Sequence, residues 1–276
     1  MLKKKFQKDL VLLGGGHSNI LLLKDLVSNP LPDYRITLIS NHYNSPYSGM
    51  LPGYLTGFFD YDDIHIDLNI FCSYHGIRMI RGKAAGLDPV TQQVFLEDRP
   101  SLRYDILSIN TGSEQSNTDI EIDEDNCIPV KPIEVFLDNL EEMIERIRSY
   151  RGVFHLMMVG NGPSAVEMAI AVRTKINKAM AEINLIPDTV KLFLCIPGET
   201  ILPGLDQKAA AIAMKGLRKK KIHILTHSRV LKIQADKIHM QDQKVMPADA
   251  VIMCTGARPQ KWLEGPRPSV DTELGR

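Results

Sequence analysis

Cysteine is scarce in this 276-residue chain, and the four present, Cys72, Cys127, Cys195 and Cys254, stand far apart with no short pairing motif. That spacing argues against a disulfide scaffold and fits a reducing, cytoplasmic compartment. No secretory signal precedes the first apolar segment, and no apolar run reaches the ~18 residues that a membrane span needs. Any membrane contact is therefore expected to be peripheral or to lie outside this sequence. An excess of charge is absent too: Lys plus Arg and Asp plus Glu both count 33, for a formal net charge of zero. Nothing in that balance points to nucleic acid, and Lys3, Lys4 and Lys5 read as a solvated tail. The histidines do not cluster at metal-ligand spacing, so no metal site is assigned. Cys127, Cys195 and Cys254 fall in or beside apolar runs and read as small core residues.

What is present is an ordinary globular balance, 44% hydrophobic and 24% charged, long enough for two cores. The chain is organised around Asp9 to Leu26. There a short apolar run, Leu10 to Leu13, enters Gly14-Gly15-Gly16-His17-Ser18 and then Ile20 to Leu23. Strand, glycines and helix in that order are the layout of a dinucleotide-binding turn. Gly14 lets the chain turn sharply, and Gly16 has no side chain to block a pyrophosphate. The helix then offers its free N–H groups and positive dipole end to the anion. The third glycine position of that fingerprint is Asn19. His17 reads either as a cofactor contact or as a solvent-facing turn residue.

The device occurs twice. Phe154 to Val159 reads as a second buried strand, followed by Gly160-Asn161-Gly162-Pro163-Ser164-Ala165-Val166-Glu167 and an apolar helix from Met168 to about Lys178. Ala165 takes the third position, which the fingerprint allows. Glu167 reads either as a functional carboxylate or as a complement to the helix N-terminus.

Between the turns, Tyr34 to Ser40 predicts the second parallel strand, with Ser40 where an acid would meet the ribose hydroxyls. Asn44 to Gly57, which includes Ser48 and Gly49, lacks a strand or helix period and is expected to be a loop lining the ligand crevice. Ile77 to Arg81 reads as a strand, and the segments to Asp105 as an antiparallel meander. Ile106 to Asn110 reads as a buried strand ending in Thr111-Gly112. The acidic stretch Glu114 to Asn126 suggests a domain boundary. Val135, Phe136, Leu140, Met143, Ile144 and Ile147 predict an amphipathic helix whose apolar residues are core contacts. After the second turn come the strand Val190 to Ile196, with Glu199 in the region that would read the adenosine ribose, and a helix from Asp206 to Lys220. Short strands follow, then Ala250 to Cys254 with a second Thr255-Gly256 ending. The same parts in the same order indicate two related domains.

These paired motifs resemble the two-dinucleotide-binding flavoproteins, the pyridine nucleotide-disulfide oxidoreductase family, in the branch similar to type II NADH dehydrogenases. Gly14 to Ser18 and Pro46-Tyr47-Ser48-Gly49-Met50-Leu51-Pro52-Gly53 look like a subgroup found fused to selenide, water dikinase. The resemblance implies an α/β fold of two Rossmann-like, three-layer ββα domains, the NAD(P)H domain inserted in the FAD domain. Residues 1–116 would begin the FAD domain, 117–250 would bind NAD(P)H, and 251–276 would return to the FAD domain, with the C-terminal interface domain absent.

By the same resemblance Gly14, Gly16 and Ser18 would face the FAD pyrophosphate, with Ala84, Thr111 and Gly112 along the rest of the cofactor. Gly160, Gly162 and Glu167 would serve NADH or NADPH. Together with His17, Ser40, Ser48, Gly49, Pro163 and Gly256 these form the candidate cofactor-binding set; no catalytic residue is assigned. The family's redox-active cysteine pair has no counterpart in Tyr47 to Met50, which makes a thiol relay unexpected. The activity implied is an FAD-dependent NAD(P)H oxidoreductase passing electrons to a quinone or another small acceptor, with selenide, water dikinase as a candidate partner. The other reading is a catalytically impaired nucleotide-binding fragment or regulatory module of such an enzyme. Because the chain stops before the family's closing Gly-Asp element, its FAD affinity is expected to be reduced.

Overall fold

The structure, a computed structural model, describes residues 7–116, 119–122, 126–184 and 189–263. The lysine cluster, parts of the acidic stretch 114–126 and residues 264–276 lie outside them. The chain divides into two compact units: residues 1–48, 61–114 and 258–276, and residues 49–60 and 115–257.

The first unit begins with β1 (Lys8–Leu13), α1 (His17–Ser28), β2 (Tyr34–Ser40) and the short β3 (Asn44–Pro46). The chain then leaves it for a helix of the second unit, α2 (Leu51–Thr56), and returns through β4 (His65–Asp67), α3 (Leu68–Tyr74) and β5 (Arg78–Arg81). A meander of β6 (Ala84–Asp88), β7 (Gln93–Leu96) and β8 (Arg99–Arg103) precedes β9 (Ile106–Ile109). The parallel sheet has the order β5-β2-β1-β9. Alternation along β1 sorts its side chains to two faces. Leu10 and Leu12 pack with Ile20, Leu23, Leu38 and Leu68 on the helical side, while Val11 and Leu13 pack with Ile39, Val94 and Leu96 under the meander. Helices, parallel sheet and antiparallel meander are thus three layers.

After α2, the second unit resumes at the second residue of β10 (Glu114–Gln115) and contains β11 (Glu121–Ile122), β12 (Cys127–Pro129), α4 (Ile133–Ser149), β13 (Phe154–Val159), α5 (Pro163–Glu182) and β14 (Val190–Cys195). It continues with α6 (Gln207–Lys219), β15 (Ile222–Leu225), β16 (Val230–Gln234), β17 (Lys237–Met240), β18 (Val245–Pro247) and β19 (Ala250–Met253), and ends at the first residue of β20 (Ala257–Arg258). Its sheet order is β12-β19-β13-β14-β15, all parallel. Phe154, Leu156 and Met158 face the helices, and Met157 and Val159 face the small sheet β11-β16-β17-β18. Strand for strand, β15-β14-β13-β19 repeats β5-β2-β1-β9.

Four expectations are corrected here. First, Asn44 to Gly57 is not an unstructured loop: it holds β3 and α2, which has Pro52 at its start, Leu51 and Leu55 buried four apart, and Gly57 in the left-handed region as its cap. Second, β9 is not buried. Ile106 is 48% and Ile109 37% exposed, because among the described residues no strand flanks β9 on its outer side, whereas β12 flanks its counterpart β19. Third, Val135 lies on the solvent side of α4, and Ile133 takes its place in the core. Fourth, the return to the first unit falls at Arg258, since β19 is hydrogen-bonded between β12 and β13.

Candidate functional site

In each unit the carboxyl ends of the parallel strands gather the candidate residues. In the first, β1 delivers Gly14 to Ser18, β2 ends at Ser40 and β9 runs into Asn110-Thr111-Gly112. Gly14 has φ +93°, a left-handed conformation that favours glycine. Its N–H donates to Ile39 O at 2.7 Å, and a Cβ on it would overlap the main chain of Asn110. Gly16 is the N-cap of α1. Here the sequence reading is corrected: a Cβ on Gly16 would run into the Asn110 side chain, so the missing side chain makes room for Asn110 and not only for a ligand.

Asn110 is the residue that sequence reasoning missed. Its carbonyl accepts from Gly16 N–H at 3.1 Å, its side-chain Oδ1 accepts from Ser18 N–H at 3.1 Å, and its own N–H donates to Leu13 O at 2.7 Å. Asn19, which departs from the glycine fingerprint, is fully buried. Its amide nitrogen donates to Leu13 O and Gly14 O at 3.2 and 2.8 Å, and its Oδ1 accepts from Ser108 Oγ at 2.6 Å. The departure thus rivets turn, helix and β9 together.

The loop after β2 is held against the glycine turn. Ser45 Oγ donates to Gly15 O at 2.5 Å, and the exposed His17 ring stacks on Tyr47 with centroids 4.4 Å apart. Ser40 is turned inward, 6% exposed, and its hydroxyl accepts from His42 N–H at 3.3 Å. The exposed groups at the end of β2 are Asn41 and His42, with Arg81 lying over the Tyr43 ring at 5.3 Å. Ser48 and Gly49 are exposed in a 3-10 turn, and Ala84, the first residue of β6, is buried in the core between the meander and the parallel sheet. Gly112 has φ +79° with open space where a Cβ would stand, and Thr111 O accepts from Gln260 Nε2 at 2.9 Å.

The second turn repeats the first. Gly160 has φ +146°, donates to Cys195 O at 3.1 Å, and has no room for a Cβ beside the carbonyl of Cys254; Cys254 N–H donates to Val159 O at 2.8 Å. Gly162, the N-cap of α5, differs from Gly16: nothing stands within 4 Å of where its Cβ would be. Pro163 opens the helix and gives up no hydrogen bond there. Glu167 is exposed on α5 and Glu199 is exposed after β14, while Gly256 faces open space after β19. Backbone donors at a helix start, an open glycine and no carboxylate within Gly160 to Val166 are a donor set suited to a pyrophosphate.

The thiols contribute nothing ionised. Burial pushes Cys72 and Cys127 up to about 11 and Cys195 and Cys254 up to about 12, so all four are neutral thiols near pH 7.

Two parallel-sheet units, each with a glycine turn and a meander, define an α/β protein of the Rossmann-like FAD/NAD(P)-binding oxidoreductase class. A family model described as pyridine nucleotide-disulphide oxidoreductase matches residues 8–270, and the chain belongs to that family. It is 25% identical over 259 residues to the NADH dehydrogenase-like protein YutJ of Bacillus subtilis (strain 168), covering 92% of this chain and 66% of the relative. It is 21% identical over 284 residues to the external alternative NAD(P)H-ubiquinone oxidoreductase B3, mitochondrial, of Arabidopsis thaliana, covering 92% and 48%. The solved structure of NDH2 from Plasmodium falciparum in complex with NADH superposes with a TM-score of 0.78 at 18% identity, over 94% of this chain and 57% of that one. The chain thus spans about half to two thirds of the length of these relatives. Among the described residues no helix is long and apolar enough to cross a membrane.

Proposed function

We propose that the chain carries the nucleotide-binding part of an FAD-dependent NAD(P)H oxidoreductase, with FAD held by the first unit and NADH or NADPH by the second. The observation that carries this reading is the duplicated turn: Gly14 against Asn110 and Gly160 against Cys254, on sheets of one strand order. The names of the relatives, an NADH dehydrogenase-like protein and an NAD(P)H-ubiquinone oxidoreductase, support the donor and a quinone as acceptor.

In this reading the amides of His17 and Ser18 and the Thr111-Gly112 segment hold the flavin nucleotide. Gly160, Gly162 and the first turn of α5 hold the pyridine nucleotide, with Glu167 one turn further along the helix, since the first turn itself carries no acidic residue, and Glu199 toward the adenosine ribose. When bound, the pair supplies hydride transfer from the nicotinamide ring to flavin N5 and two-electron delivery to the acceptor. The protein contributes backbone donors, orientation and neutral thiols that stay out of the electron path. A selenide, water dikinase partner, suggested by the Gly14 to Ser18 and Pro46 to Gly53 phrases, belongs to the same proposal.

The test is a visible spectrum of the purified chain with added FAD, followed by anaerobic NADH. Flavin bands that bleach on NADH addition support the assignment. A chain that takes up no flavin at any FAD concentration refutes it.

A further inference from the structure

The two glycine turns differ in one device. In the second unit, Cys254 meets its glycine through the main chain, and the residue beyond, Gly162, faces open space. In the first unit, the matching residue is Asn110, whose carboxamide oxygen accepts the Ser18 N–H at 3.1 Å while its carbonyl accepts the Gly16 N–H at 3.1 Å. With Gly16 as N-cap, Ser18 is the second helical residue, and its amide is one of the donors that no helical carbonyl can satisfy. Asn110 therefore fills a position that, at the turn proposed above to hold a flavin nucleotide, a phosphate oxygen would need.

We infer that Asn110 is a built-in stand-in for phosphate. Its side-chain oxygen caps Ser18 when the turn is empty and gives up that amide when a dinucleotide enters, so loading of the first unit is an exchange of one acceptor for another. The exchange runs toward the ligand because a charged phosphate oxygen is the stronger acceptor for an N–H than a neutral amide oxygen. The second turn, with no such cap, binds without exchange. Asn110 is thus a positioning residue that sets the affinity of the first turn without belonging to the reaction. This inference rests on the flavin reading of the first unit.

The experiment uses the full chain with Asn110→Ala and Asn110→Asp. Amide hydrogen exchange over the Gly14 to Leu22 segment, without ligand, reads the cap. FAD titration by quenching of flavin fluorescence reads the exchange, and NADH titration serves as control. Asn110→Ala is expected to speed exchange in that segment and to bind FAD about fivefold more tightly, since the competing neutral hydrogen bond is gone. Asn110→Asp keeps an oxygen on Ser18, adds a negative charge beside the phosphate, and is expected to weaken FAD binding by tenfold or more. NADH affinity stays unchanged in both. A residue of merely structural role would weaken FAD binding in both variants, which would overturn the inference. So would Asn110→Ala with unaltered hydrogen exchange. If hydrogen exchange speeds up but neither variant nor the parent chain takes up FAD, the cap stands while the exchange and the flavin reading both fall.

Discussion

Ser108 Oγ donates to Asn19 Oδ1 at 2.6 Å, tying the start of α1 to β9 through a fully buried amide. With its amide nitrogen on Leu13 O and Gly14 O, Asn19 satisfies its own polar atoms and fixes the glycine turn in one conformation. Asn19→Ala removes these bonds from a buried site and is expected to destabilise the first unit by about 2–3 kcal/mol. Ser108→Ala, which leaves Oδ1 without its donor, is expected to cost about 1–2 kcal/mol. Urea unfolding of the two variants and their double mutant checks this; simple additivity of the two effects would show that the pair does not act as a unit.

The two glycines of the second turn should respond in opposite ways. Gly160→Ala combines a φ of +146° with overlap on the Cys254 carbonyl and is expected to cost roughly 2–4 kcal/mol of stability. Gly162 has φ −79° and open space around it, so Gly162→Ala should leave stability within about 0.5 kcal/mol. If a pyrophosphate approaches there, the added methyl should still lower NADH affinity tenfold or more. Calorimetric titration beside a thermal melt separates the two effects.

Leu51 and Leu55 of α2 belong to the core that also holds Val166, Ala169 and Val172 of α5. Leu55→Ala is expected to destabilise the second unit by about 2–4 kcal/mol. Hydrogen exchange in α5 is the readout, because loss of protection confined to the first unit would contradict the assignment of residues 49–60.

Buried thiols set a basic limit on stability. The folded pKa of each cysteine is raised above the ordinary value of 9.0, so the neutral form is favoured by folding. Their contribution is complete below about pH 9 and is lost as pH rises toward 11–12. Unfolding midpoints should hold steady from pH 7 to 9 and fall beyond it, less steeply in Cys195→Ala. Labelling with a thiol-specific reagent at pH 7.5 should be slow for the folded chain and complete once it is unfolded.

The parallel strands other than the short β11 and β12, both glycine turns, the meander and α4 were legible because each carries a local signal: an apolar run, a glycine at a fixed offset, or a period of two or of 3.6. Helix α2 has such a signal in Leu51, Pro52, Leu55 and Gly57, but its density of turn formers masks it. Helix α3 is capped by Asp67, whose side chain accepts from Ile70 N–H at 2.7 Å, a cap the sequence offers within an otherwise short segment. Asn110 and Ser40 had no local signal. Where Asn110 points depends on β9 lying beside β1, and the burial of Ser40 depends on the glycine turn lying over it, its hydroxyl 3.3 Å from where a Cβ on Gly15 would stand. Such facts are made by strand pairing, and no stretch of sequence holds them alone. The exposure of β9 is of the same kind, since a strand reads alike at an edge and in the middle of a sheet.

Helix α2 is separated in the chain from α5 by the whole meander and β9, yet it shares a core with it. During synthesis Leu51 and Leu55 emerge long before anything exists to cover them, and the closing contact is strongly non-local, which slows folding and leaves an apolar segment waiting. A fragment cut to begin at residue 115 would hold all of α4, α5 and α6 but lack α2. Its α5 would carry an uncovered apolar stripe, and such a fragment is expected to self-associate more strongly than the full chain.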